Sequence, residues 1–237
     1  MRLLLLLVLL LPTTARAAER KLFVSSFERI RVEGPFQVTV ATGRSPAGSV
    51  TGDPRRLDAV EVRLDGTTLV VRPVIGRFED QPRGADAAPV TVALATPVLV
   101  SAAVIGGGAV AIAGGPGGIK TTRLDLSVTG AGSIALTGAD VDAANAQVIG
   151  EGRVTLAGRA ARARLMLNGA GRIDADKLDA SELVVRVDGP GETTARARYS
   201  ATVTNTGLGR VAIAGTPKCV VKSGAGGPVT CGVARKQ

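Results

Sequence analysis

The chain has 237 residues, 45% hydrophobic but only 2% aromatic, and a formal charge of +9. Histidine and tryptophan are absent and Tyr199 is the one tyrosine, so the commonest metal ligand and general base is missing and stacking platforms are nearly so. The basic excess favours anionic partners such as acidic polysaccharide or lipid head groups; export, argued next, makes nucleic acid the least suitable of these.

Met1 and Arg2 precede the apolar run LLLLLVLLL, then Pro12 and TTARAA. A charged start, a short apolar core and an A-x-A site at Ala15, Arg16 and Ala17 describe a secretory signal peptide. Nine apolar residues fall short of the roughly 20 needed to span a bilayer, although a short retained anchor is the competing reading. Cleavage is expected after Ala17, which removes Arg2 and Arg16 and lowers the charge from +9 to +7. No lipid anchor or transmembrane segment is expected in the mature chain, and the expected location is the periplasm or cell surface.

Residues 20–96 carry strand-like runs at FERIRVEG, PFQVTVATG, VEVRL and TLVVRP, the last two joined by a hairpin signal at Asp65-Gly66. QPRGADAAP reads as a polar loop. This region is expected to supply strands that pack on a repeat domain at 97–231 and cover its exposed edge, with a short tail at 232–237.

Within the repeat domain, Gly-x-Gly recurs with first glycines Gly106, Gly130, Gly150, Gly169, Gly189, Gly207 and Gly224, at intervals of 24, 20, 19, 20, 18 and 17 residues. In the six coils before Gly224, the second, fourth and sixth residues ahead of the glycine are apolar in seventeen of eighteen cases, from Val100, Ala102 and Val104 to Ala201 and Val203; Asn205 is the exception. Interleaved residues such as Asp125, Asn145, Arg164, Arg186 and Thr204 are polar, which is the period of a strand with one buried face. The fourth and sixth residues after the glycine resume the pattern, as in Val110 and Ile112 or Ile134 and Leu136, and a further glycine closes this strand at Gly114, Gly138, Gly158 and Gly215. The unit therefore reads strand, Gly-x-Gly corner, short strand, glycine, loop.

Repetition of the same inward positions about every 20 residues points to a parallel β-solenoid, with an antiparallel β-sandwich as the alternative. The structural corner glycines would be Gly106 and Gly108, Gly130 and Gly132, Gly150 and Gly152, Gly169 and Gly171, Gly189 and Gly191, and Gly207 and Gly209. The repeat at Gly224 is out of phase, with Lys218 and Lys222 at inward positions, as befits an atypical terminal cap. Cys219 and Cys231, a lone close pair in an exported chain, are expected to form a disulfide there.

FERIRVEGPFQVTVATG followed by GAGSIALTG, NGAGRIDADKL and GLGRVAIAGTP resembles the head GIN domain family of auto-transporter adhesins, from about Phe23 to Cys231. The resemblance implies an exported β-helical domain and assigns it no particular chemistry. The chain lacks a Gly-Ile-Asn tripeptide, and the acidic residue that often follows Gly-x-Gly in relatives is here Ser133, Arg153, Arg172, Glu192 or Arg210. With CGVARKQ directly after the last coil, no translocator barrel is expected.

Gly106, Gly108 and Ala111 spell the G-x-G-x-x-A of a dinucleotide turn, but AVAIAGGPGG follows and cannot open the helix that turn requires. The same spelling at Gly207, Gly209 and Ala212 marks it as a corner, so no cofactor is expected. Calcium-binding β-rolls need Asp where this chain has Ala, Arg or Ser, so no metal is expected either. A carbohydrate-active enzyme is the rival reading, with Asp174, Asp176, Asp179 and Asp188 near Lys177 and Arg186 as candidate carboxylates and bases. Short coils leave no long loops for a cleft, so catalytic residues are not expected. Arg153, Arg172 and Arg210 fall at one repeat position, and Arg162 and Arg164 sit on another outward strand, as do Arg196 and Arg198. Solubility explains such charges by itself; the expectation is a binding, adhesion-like or structural module, with an anion-binding surface for an envelope polymer as the sharper form and an envelope protein as the other partner. Assembly through the solenoid ends is a further possibility, and the oligomeric state stays open.

Overall fold

A computed structural model of the protein describes residues 18–74, 90–223 and 226–233. The expected leader and cleavage site at Ala17, the polar loop at 81–89, Gly224 and the last four residues lie outside the described residues.

Seven short strands come first: β1 (Ala18–Leu22), β2 (Arg29–Glu33), β3 (Gln37–Thr42), β4 (Ala47–Gly52), β5 (Val60–Asp65), β6 (Thr68–Pro73) and β7 (Thr91–Thr96), with one helical turn at Pro54–Leu57. The repeat follows as β8 (Ser101–Ile105), β9 (Ala109–Ala113), β10 (Ile119–Gly130), β11 (Ser133–Gly150), β12 (Arg153–Asn168), β13 (Arg172–Asp188), β14 (Glu192–Asn205), β15 (Arg210–Gly215), β16 (Lys218–Ser223) and β17 (Val229–Val233). From β8 to β17 every pairing is parallel between successive coils, as in Asp125↔Asn145, Asn145↔Arg164 and Arg164↔Val184. The fold is a parallel β-solenoid, and the sandwich alternative is ruled out by this register.

Each of β11, β12, β13 and β14 runs from one Gly-x-Gly corner to the next and bends on the way, so each coil has three sides. Face A follows the corner and buries pairs such as Ile134 and Leu136, Val154 and Leu156, and Ile173 and Ala175. Face B precedes the next corner and buries triplets such as Ala144, Ala146 and Val148, and Leu183, Val185 and Val187. The stretch between them, expected to be loop, is instead a third side, face C. It buries Ala139 and Val141 in one coil, Ala160 in the next, Leu178 and Ala180 in the third, and Ala197 in the fourth. Only one or two inward residues per coil are available here, too few to show an alternation. One core runs the length of the stack, and each fully buried aliphatic side chain contributes about 1.5–3 kcal/mol.

The two glycines of a corner do different jobs. At five of the six corners the first glycine, such as Gly106 with φ near +95°, adopts a left-handed conformation, Gly207 being the exception. The second lies against the coil below, where a Cβ on Gly108 would come within 2.6 Å of the Gly34 carbonyl oxygen.

At the amino-terminal end, β2 and β3 pair in parallel with β8 and β9, and Gly34 stacks beneath Gly106. β6 and β7 lie on the other side of β2 and β3, so the spatial order is not the chain order. Antiparallel strands finish this end, β4 and then β1 beside β7, and β5 beside β6.

At the other end the terminal coil departs from expectation. Cys219 and Val221, not Lys218 and Lys222, continue the inward columns of Ala201 and Val203. The last interval is therefore a residue longer than counting from Gly224 implied, and both lysines face outward. The Cys219–Cys231 disulfide is formed, with a Cα–Cα distance of 6.3 Å. It joins the inward columns of face B and face A, since Cys231 stands opposite Ile213. The inward Asn205 is fully buried, and its Nδ2 donates to the carbonyl oxygens of Gly209 (2.8 Å) and Gly227 (3.1 Å), holding the last corner.

Candidate functional site

In a parallel solenoid, outward side chains at one repeat position form a column with the spacing of adjacent strands, about 4.8 Å. The sequence-derived arginines fall on three such surfaces. Ser133, Arg153, Arg172, Glu192 and Arg210 are one register column at the start of face A. Within it Arg172 is ion-paired with Glu192, which separates Arg153 from Arg210.

Arg196 continues the face C column Lys120, Asp140, Arg159 and Asp179, and Arg198 lies two residues further along the same strand. Arg159 pairs with Asp140 at 3.4 Å, and Nε and Nη2 of Arg198 donate to the two carboxylate oxygens of Asp179. Arg198 beside it holds the Asp179 carboxyl below its ordinary value, since donated hydrogen bonds favour the charged form. Arg196 donates from Nε to the Asp176 carbonyl oxygen at 3.4 Å. The charges of this face are largely spent on each other.

Face B is different. Arg162 and Arg164 stand two residues apart on β12, and among the described residues neither has an ion-pair partner within 4.0 Å. The adjoining coil adds Arg186, across from Met166. Beside the two arginines lies a surface basin of about 730 Å³ lined by Ser101, Ser127, Asn145 and Gln147, with Arg123 and Asp125 on its far side. The basin exists because Ala143 stands in register between coils that carry Arg123 and Arg162 at the same position. Asp125 accepts from Arg123 Nε at 3.0 Å and from Asn145 Nδ2 at 2.7 Å. That pair is neutral as a unit, and Arg162 and Arg164 outweigh Glu182, in register with Arg162, to leave the basin a net positive charge.

The four candidate carboxylates do not form one site: Asp174 and Asp176 line a face A hollow with Arg172, and the other two lie elsewhere. Asp174 is on face A, where it accepts from Thr194 Oγ1 (3.2 Å) and the Asp176 backbone N–H (3.3 Å). Asp179 is on face C, and Asp188 ends face B opposite Asn168. Among the described residues no group of three potential metal-ligating side chains occurs. Sequence reasoning missed Arg123, Gln147 and Ser101. Asp125 and Asn145 were visible as outward polar residues, but only the register shows that they share a column with Arg164.

The architecture thus defines a parallel β-solenoid whose three outer faces carry distinct charge arrangements. The chain belongs to the family described as "Putative auto-transporter adhesin, head GIN domain", which matches residues 26–217. Its structure is similar to that of a "putative adhesin" from Bacteroides fragilis, with a TM-score of 0.79 and 20% identity over 93% of this chain and 98% of that one. A "Putative lipid binding protein" from Parabacteroides distasonis aligns with a TM-score of 0.69 and 17% identity over 92% and 97% of the two chains. A "putative adhesin" from Parabacteroides merdae gives 0.61 and 16% over 92% and 95%. No curated protein matches the chain. Among the described residues no helix is long and apolar enough to cross a membrane.

Proposed function

We propose that the protein is an exported cell-envelope module that binds anionic polymers through its outer sheet surface. The observation that carries this reading is the cationic patch of face B, where Arg162 and Arg164 make no ion pair, whereas Arg159 and Arg198 on face C are paired with Asp140 and Asp179. Guanidinium groups left unpaired beside polar side chains are suited to carboxylate or sulfate, which they bind by charge-assisted hydrogen bonds. The adhesin family and the excess of basic residues support the same reading. A small carbohydrate-active enzyme is less well supported: Asp174 and Asp176 share a face A hollow, but Asp174 already accepts from Thr194 and the Asp176 N–H, and Asp179 and Asp188 lie on other faces.

The test is retention of the mature chain on immobilised heparin and on lipopolysaccharide across a salt series. Elution is expected to move to much lower salt when Arg162 and Arg164 are both changed to Ser. Absence of retention at low ionic strength, or retention indifferent to salt, would sink the proposal.

A further inference from the structure

We infer that the face B basin is a saccharide site that takes acidic pyranose units, with a ligand carboxylate held by Arg162 and Arg164. This rests on the anionic-polymer reading and narrows it to one surface and one ligand chemistry. Three observations carry it.

The first is charge. Arg123 and Asp125 compensate each other, and Glu182, in register with Arg162, makes no ion pair with it. Two free guanidinium groups on the same side of one strand stand about 7 Å apart at their Cα atoms, close enough to share one carboxylate. The second is the donor and acceptor inventory. A sugar hydroxyl both donates and accepts, and the basin offers the Ser101 and Ser127 hydroxyls, the Gln147 amide, the free Oδ1 of Asn145 and the Asp125 carboxylate. Met166 and Val184 border the basin at its other end and give the C–H face of a pyranose ring an apolar surface in place of the missing aromatics.

The third is dimension. The lining runs from Ser101 in β8 to Glu182 in β13, four coil steps or about 19 Å. The volume of about 730 Å³ falls within the range of small-molecule sites. A short run of sugar units laid along the solenoid axis fits both measures.

The test uses the full mature chain and a tetrasaccharide of galacturonic acid, followed by titration calorimetry, with circular dichroism to confirm folding of every variant. Wild type is expected to bind the free acid and to bind its methyl ester roughly tenfold or more weakly, because the charge-assisted bonds are lost. Arg162→Ser/Arg164→Ser is expected to lose roughly the same factor, whereas Arg153→Ser/Arg210→Ser, equal in charge change, keeps wild-type affinity. Asn145→Ala is expected to weaken both the acid and the ester. Equal losses in the two double variants would overturn the site, because they would report net charge alone. Displacement of the tetrasaccharide by phosphatidylglycerol vesicles would overturn it in favour of a lipid ligand. Heparin retention without tetrasaccharide binding would overturn this inference and leave the broader polymer reading standing.

Discussion

Gly107 and Gly108 are neighbours in one glycine triplet, yet alanine at the two positions should have opposite effects. At Gly108 the new Cβ would sit 2.6 Å from the Gly34 carbonyl oxygen, and 3.2 Å from both the Phe36 carbonyl oxygen and Val32 Cγ1. The nearest of these atoms is backbone in an adjoining coil, so relief requires the two coils to separate locally. Overpacking of this kind costs about 1–3 kcal/mol. At Gly107 nothing lies within 4 Å and φ is not in the left-handed range, so alanine is tolerated and lowers unfolded-chain entropy by about 0.4–1 kcal/mol. The two variants should therefore differ by roughly 2 kcal/mol, or about 4–8 °C in Tm for a chain of this size. Urea unfolding with the disulfide intact, followed by far-ultraviolet circular dichroism, measures it. A Gly108→Ala variant no less stable than Gly107→Ala would refute the claim that close coil stacking, rather than turn conformation alone, dictates the second glycine.

Leu178→Ala, in a segment whose sequence reads as loop, should cost about 2–5 kcal/mol in the same unfolding assay, because Leu178 is fully packed on face C. Reducing the Cys219–Cys231 bond, which spans 12 residues, should remove up to about 3 kcal/mol; hydrogen exchange should quicken in β16 and β17 before β11 and β12. Asp179 has a folded-state pKa below its ordinary 3.8, so its pairing with Arg198 is fully present above that value and is lost as pH falls through the lower folded one. Wild type should accordingly be more stable than Asp179→Asn at pH 7, with the difference fading below about pH 4 in pH-dependent denaturation.

The inward columns of faces A and B were legible because each places two or three apolar residues in strict alternation at a fixed distance from a glycine. Face C was not, since Ala160 or Ala197 alone in a coil carries no period and the flanking Arg159 and Arg198 look like loop residues. The frame of the terminal coil was not legible either, since Gly224 continues the Gly-x-Gly spelling but Gly227 is the glycine that stacks on Gly209. Of the candidate site, the unpaired Arg162 and Arg164 were visible in the sequence. What distinguished them from Arg172 and Arg198 was not, because an ion pair such as Arg172 with Glu192 depends on which residue of the next coil falls opposite. Coil lengths vary from repeat to repeat, and small bulges such as that between Leu136 and Ala139 absorb the difference. The sequence interval alone does not reveal where they fall.

The placement of β2 and β3 between β6 and β8, and between β7 and β9, bears on how the molecule is made. Arg29 finds its neighbour Ser101 only after 72 further residues have left the ribosome. A coil in the middle of the stack touches only the coils before and after it, so β11 to β13 can be added one upon another as they emerge. The amino-terminal segment has to wait. Its own closure is a long-range event of the slow kind, and until β8 and β9 arrive the inner strands offer an unfilled edge. Evolution could lengthen or shorten such a protein in its middle by whole coils, while the amino-terminal knot of strands would have to be inherited as a unit.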